Sequence, residues 1–207
     1  MSIPQQMADH WWWRPGWLPG RRMYTFHITF DGQPAVHHLA SGCQEALRGL
    51  GGIDLVLPRW LHLTVQGAGF TDEVSDADAD AITRAARDRL ASLPAPSVRL
   101  GPVTITPEAI LLPAQPDAAL TAVRAALRAA ILDVWPPSRL MEADTWTPHV
   151  TVAYSNSGGP AAPYQAALNG MSGTAQALVS AVQLIILGRD QHAYEWSVYA
   201  DVPIGAG

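Results

Sequence analysis

Two short segments rich in β-formers, residues 60–66 and 146–154, each carry His-x-Thr followed by a hydrophobic residue, and each comes after a helical stretch. That recurrence is the strongest constraint on the fold, because it asks for two halves of matching build. Residues 24–30 read as a strand with Asp31-Gly32 as its turn, and 37–50 as a helix stopped by Gly51-Gly52. A short apolar run follows at 53–57. Ser75 or Asp76 caps a helix over 77–93, which Pro94 and Pro96 end. Residues 98–105 and 109–112 read as two strands joined at Thr106-Pro107-Glu108, and Asp117 opens a helix to about 134, where Pro136-Pro137 stops it. A Gly-rich loop at 155–163 and two strands at 175–187 and 194–202 close the chain. The expected fold is α+β: two pseudo-symmetric antiparallel sheets with flanking helices and a central cleft, built by a single bilobal domain over 24–207. Residues 1–23 form a Trp-, Pro- and Gly-rich leader that either folds over the cleft or packs on the core, with packing favoured.

His-x-Thr occurs three times, at His27-Ile28-Thr29, His62-Leu63-Thr64 and His149-Val150-Thr151. Seven histidines and twelve threonines in 207 residues would give about 0.4 such pairs by chance. Side chains two apart on a strand share a face, so each motif sets an imidazole beside a hydroxyl. Leu61, Leu63 and Val65 then face the core behind His62, and Val150 and Val152 do so behind His149. Two imidazoles aimed at one cleft can divide the work of acid and base, since histidine titrates near neutral pH. Displacement at phosphorus needs that division: one group takes the proton of the attacking oxygen, the other gives one to the leaving oxygen.

Composition removes several alternatives. All thirteen basic residues are arginine, so a Walker A loop, a pyridoxal Schiff base and a lysyl-nucleotide intermediate are excluded. A net charge of −5 argues against a broad basic face for long nucleic acid but allows a small nucleotide or a strand end. The chain has no apolar run of membrane-spanning length and no secretory signal at its start, so a cytoplasmic location is expected. The single cysteine, Cys43, falls in a helical stretch and reads as structural.

His62-Leu63-Thr64-Val65 and Pro148-His149-Val150-Thr151-Val152 resemble the duplicated signature of the 2H phosphoesterase superfamily, in its 2′-5′ RNA ligase-like branch. The resemblance runs from about residue 24 to 202 and implies a bilobal fold with the cleft between lobes. It implies cyclic phosphodiesterase chemistry on 2′,3′-cyclic phosphates of RNA ends or nucleotides, or 2′-5′ ligation as its reverse, with no cofactor and no metal. His62 and His149 would be the acid–base pair, with Thr64 and Thr151 as phosphate anchors. The partner would be a nucleotide or RNA end carrying a cyclic phosphate, with no role for a membrane. Many bacterial relatives place Arg three residues after the second Thr, where this chain has Tyr154, which leaves the substrate open. A binding module without chemistry and a phosphodiesterase for another ester are the alternatives.

Other candidates have two readings. Tyr154 stacks on a base or donates to phosphate, or is a strand aromatic. His27 walls the cleft or is a hydrogen-bonded structural histidine, since the strand from Val98 carries no matching His. By alternation Trp60 shares the face of His62 and lines the cleft, whereas Trp146 packs in the core. Arg21, Arg22 and Arg189 are candidate phosphate partners, with solvated surface arginine as the default. His37 and His38 read as surface residues, and His192 as a turn residue. No histidines have zinc-site spacing, and Asp76-Ala77-Asp78-Ala79-Asp80 lacks the Gly and Glu of a calcium loop; its acids suit a helix start instead.

Overall fold

The computed structural model describes residues 4–141 and 146–205. Strands β1 (Gln6–Met7), β2 (Met23–Thr29), β3 (Ile53–Leu55), β4 (His62–Phe70), β5 (Ser97–Leu100), β6 (Thr104–Ile105), β7 (Ala109–Gln115), β8 (His149–Ser155), β9 (Gly159–Pro160), β10 (Ala175–Leu178), β11 (Ala181–Gly188) and β12 (Glu195–Pro203) alternate with four helices. The helices are α1 (Pro34–Ala46), α2 (Asp76–Ala91), α3 (Asp117–Leu132) and the short α4 (Ala162–Ala167). One antiparallel sheet has the order β12-β11-β2-β4, and the other β10-β5-β7-β8-β3 with β6 also on β7.

The two sheets exchange chain segments. After β2 the chain crosses to lay α1 against β8 and β10, adds β3 beside β8, and returns as β4. Helices α2 and α3 pack on each other, and against β12 and β4 of the first sheet. The helical faces follow from sequence spacing: Leu120, Val123, Leu127 and Ile131 recur on one side of α3 and are all buried. Helix α2 starts where expected, with the Ser75 hydroxyl accepting from the Asp78 amide at 3.1 Å. As the alternation required, Leu61, Leu63, Val65, Val150 and Val152 are buried in one continuous core.

Three expected elements differ. The strand over 98–105 is broken at Gly101, which holds φ +88° and lies so close to the Gly173 carbonyl that a Cβ would approach it to 2.8 Å. The strand over 175–187 is split at Val179-Ser180, so that β10 joins one sheet and β11 the other. The loop over 155–163 contains β9, which pairs with β1, and runs into α4, whose Tyr164 hydroxyl donates to the Gly51 carbonyl at 2.7 Å. The leader is packed rather than loose: Trp11 and Trp17 are buried, although Trp12 and Trp13 remain about half exposed. Trp17 sits edge-on to Phe70, and the Trp11 indole donates to Asp54 at 2.9 Å. No helix among the described residues is long and apolar enough to cross a membrane.

Candidate active site

Both motif histidines stand at the first residue of a strand, and both are held in the same way. His62 Nδ1 lies 2.7 Å from the Trp60 carbonyl, and His149 Nδ1 lies 2.7 Å from the Thr147 carbonyl. A carbonyl only accepts, so each Nδ1 carries the proton and donates it. In each ring Nε2, turned away from its own backbone, is therefore the nitrogen left to take up or give a proton. The motif encodes this device locally, because the accepting carbonyl is two residues upstream in both cases.

The environments of the two rings are unequal. His62 is buried, while His149 is partly exposed on a groove of about 760 Å³. Burial pushes the His62 imidazole down to about 4; the Trp60 carbonyl opposes this, and the charge of His149 adds to it. His62 is therefore a neutral acceptor at pH 7. It borders a cavity of about 30 Å³ with Trp60, Tyr154, His192 and Tyr194, room for water but not for a nucleotide.

Tyr154 lines both that cavity and the groove. Plain alternation from His149 would turn it to the opposite face. A β-bulge prevents this: Thr151 pairs with Leu111 and Ala153 with Ile110, which leaves Val152 without a partner and restores Tyr154 to the face of His149 and Thr151. Burial holds the Tyr154 phenol well above its ordinary range, with Tyr194 raising it further and the Thr151 hydrogen bond opposing.

His27 is fully buried behind His62, with the two rings stacked at 4.3 Å and 9°. Antiparallel pairing sets His27 opposite Thr64 and Thr29 opposite His62, and Thr64 Oγ1 bonds His27 Nε2 at 3.1 Å. Among the described residues its Nδ1 has no partner, and burial followed by the charge of His62 keeps the ring neutral. Thr64 is exposed on a separate cavity with Trp146 and Tyr194, so the two motif threonines do not share one pocket. Trp60 does line the His62 cavity, although it belongs to the turn Pro58–Trp60 rather than to the strand. Trp146 is half-buried and braces the two motifs, its indole donating to the Thr64 carbonyl at 3.0 Å.

The arginine candidates are engaged. Arg21 binds Asp72 and Glu73 and covers the Phe70 ring, and Arg22 binds Asp190 at 2.6 Å. Arg189 is buried and donates to the carbonyls of His10 and Trp12. His37 bonds the Phe30 carbonyl, and the 76–80 acids sit at the start of α2 as expected, with Asp76 and Asp80 receiving the hydroxyls of Tyr24 and Tyr199. Among the described residues no group of three or more His, Cys, Asp or Glu is placed to hold a metal ion.

One cluster escaped the sequence reading. His10 of the leader stacks on Tyr154 at 4.3 Å, donates Nδ1–H to Glu108 at 3.2 Å and accepts from the Tyr194 hydroxyl at 2.9 Å. Glu108 also takes Arg14 at 2.5 Å. Burial, then Arg14, lower the His10 imidazole to about 4 against the pull of Glu108, which keeps it neutral, and the Glu108 carboxylate, which only accepts, favours the Nδ1–H tautomer. Partners 98 and 184 residues apart leave no local signal in the sequence. Replacing His10 by alanine removes the acceptor of the part-buried Tyr194 hydroxyl and opens a cavity, so urea denaturation should show a loss of about 2–4 kcal/mol. A loss under 0.5 kcal/mol would mean that the cluster contributes nothing.

A family model described as the 2′-5′ RNA ligase superfamily matches residues 36–191. No curated protein matches the chain. Among solved structures, a Thermus thermophilus protein superposes with TM-score 0.65 at 20% identity, over 88% of this chain and 98% of its own. E. coli LigT, crystallised with 3′-AMP, gives TM-score 0.62 at 13% identity, over 89% and 98%. The ns2 PDE domain of MHV gives 0.55 at 12% identity, over 81% and 99%. At such identities the likeness is one of fold.

Proposed function

The chain belongs to the 2′-5′ RNA ligase superfamily, and on that premise we propose that it is a two-histidine phosphodiesterase that opens 2′,3′-cyclic phosphates of nucleotides or RNA ends. The observation that carries this reading is the matched pair of Nδ1–carbonyl bonds, which leaves two Nε2 atoms for proton transfer. Crystals of E. coli LigT hold 3′-AMP, ATP or NADP+, and we carry the nucleotide class over to this chain.

The unequal environments divide the roles. His62, neutral and beside a water-sized cavity, is the base. Its Nε2 takes a proton from water as the water oxygen bonds to phosphorus. The bond from phosphorus to the 2′ or 3′ oxygen breaks on the other side, and His149 Nε2–H gives that oxygen its proton. Solvent exchange then resets both rings. Thr151 and Tyr154 stand beside His149 to hold the phosphate oxygens, Trp60 walls the His62 side, and His27 keeps Thr64 in place.

Proton transfer by these residues needs no metal. A panel of cyclic and linear phosphodiesters assayed in excess chelator tests the proposal: 2′,3′-cyclic nucleotides should be opened at an undiminished rate. Turnover that vanishes with chelator contradicts the mechanism. Tight binding without turnover across pH 4–9 would make the chain a binding module.

A further inference from the structure

The groove continues past His149 to a row of polar side chains that the reaction at the cyclic phosphate does not use. Its floor is one face of β7, namely Ala109, Leu111, Pro113 and Gln115. Tyr154 stands opposite Ala109, Thr151 opposite Leu111 and His149 opposite Pro113. Two residues beyond Pro113, Gln115 pairs with Arg99 of β5, and Arg99 pairs in turn with Gln176 of β10. Directly paired residues point to the same face, so Gln115, Arg99 and Gln176 form an amide–guanidinium–amide row across three strands. All three are exposed, and together with Ser97 they line a hollow of about 380 Å³.

Charge differs between the two ends of the groove. At the Tyr154 end Glu108 is neutralised by Arg14. At the other end the Arg99 guanidinium has no hydrogen-bond or ion-pair partner among the described residues. A guanidinium fork flanked by amide donors, with no acid among the described residues that line the hollow, suits phosphate oxygens. Two strand spacings across and two residues along put the Arg99 backbone about 12 Å from that of His149. Two side chains reaching toward each other across that span leave room for the two phosphates of a single nucleotide. Leu111, Pro113 and the rim residues Val103 and Thr104 offer an apolar bed with one hydroxyl for the nucleoside between them.

Building on the proposed function, we propose that Arg99, with Gln115 and Gln176, binds the 5′-phosphate of the nucleotide whose 2′,3′-cyclic phosphate lies at His149. The favoured substrate is then an end that carries a 5′-phosphoryl group, as every oligonucleotide terminus does, rather than a free cyclic nucleoside phosphate.

The test compares three probes: adenosine 2′,3′-cyclic phosphate, the same compound with a 5′-phosphate, and a dinucleotide ending in the cyclic phosphate. Wild-type kcat/KM should be on the order of ten- to a hundredfold higher for the second and third than for the first. Salt should erode that advantage, because the contact is exposed. In Arg99→Ala the three probes should fall within about twofold of one another, and Arg99→Lys should keep part of the preference. Arg48→Ala, which removes a surface charge paired with Glu45, should keep the wild-type ratio. A wild-type protein that treats the three probes alike overturns the proposal, and so does an Arg99→Ala variant with an unchanged ratio. Failure to open any probe refutes the phosphodiesterase reading itself, and is distinct from loss of the ratio.

Discussion

His149→Ala is expected to slow opening of a 2′,3′-cyclic phosphate by about 10²–10⁴-fold, the range spanned by a positioned general acid or base. Its ring is partly exposed and its one bond in the described structure is to the Thr147 carbonyl, so the fold should lose little stability. His62→Ala should cost a similar factor in rate for a different structural outlay. That ring is buried, stacks on His27 and meets Tyr194 and Trp196 edge-on, so its removal also leaves a cavity worth about 2–4 kcal/mol. Measuring kcat and the urea midpoint on both variants separates the two effects. Equal loss of rate with unequal loss of stability is the expected pattern. Full activity in either variant would remove that histidine from the chemistry.

Acid should unfold the protein early. His10, His27 and His62 are buried as neutral rings, with the first and third lowered to about 4 and His27 lowered well below 6.5, chiefly by burial. An unfolded chain binds protons at these rings below about 6.5, while the folded chain refuses them, so stability falls as pH drops through that window. Above 6.5 the contribution is fully present. Each ring removes about 1.4 kcal/mol per pH unit, and three together about 4 kcal/mol, against a total of about 5–15 kcal/mol for a domain. Urea denaturation at pH 7.5 and 5.5 should therefore differ by several kcal/mol. His27→Phe, which removes one of the three titrations, should make the slope about a third shallower. A stability that stays level between those pH values would show that the rings are solvated.

The two catalytic candidates were readable in the sequence because their signal is local. A histidine, a threonine two residues on and an apolar residue between them fix a face and a core contact within one strand. The same reasoning failed wherever geometry depended on a distant partner. Tyr154 sits on the site face only because Val152 is bulged out of the ladder with β7, and nothing in the Val-Thr-Val-Ala-Tyr run marks that irregularity. The apolar stretch over 175–187 reads as one strand because both sheets reward the same residues, and the joint at Val179-Ser180 carries no Gly or Pro. By contrast the break in 98–105 was written in Gly101-Pro102, a signal present but outweighed by the β-formers around it. His10 and Tyr194 could not be paired from the sequence at all. They lie 184 residues apart, and both fall outside residues 36–191, the span that the family model matches.

The central claim is that His62 and His149 act as one proton-transfer unit through their Nε2 atoms. Groups that work as a unit show non-additive losses, since removing either disables the step. The most direct measurement is therefore the turnover rate of His62→Ala/His149→Ala beside the two single variants, on a 2′,3′-cyclic nucleotide in excess chelator. The double variant should be no slower than the slower single one, within about threefold. Losses that multiply, so that the double variant falls by the product of the two factors, would mean that the histidines act independently and would contradict the paired mechanism.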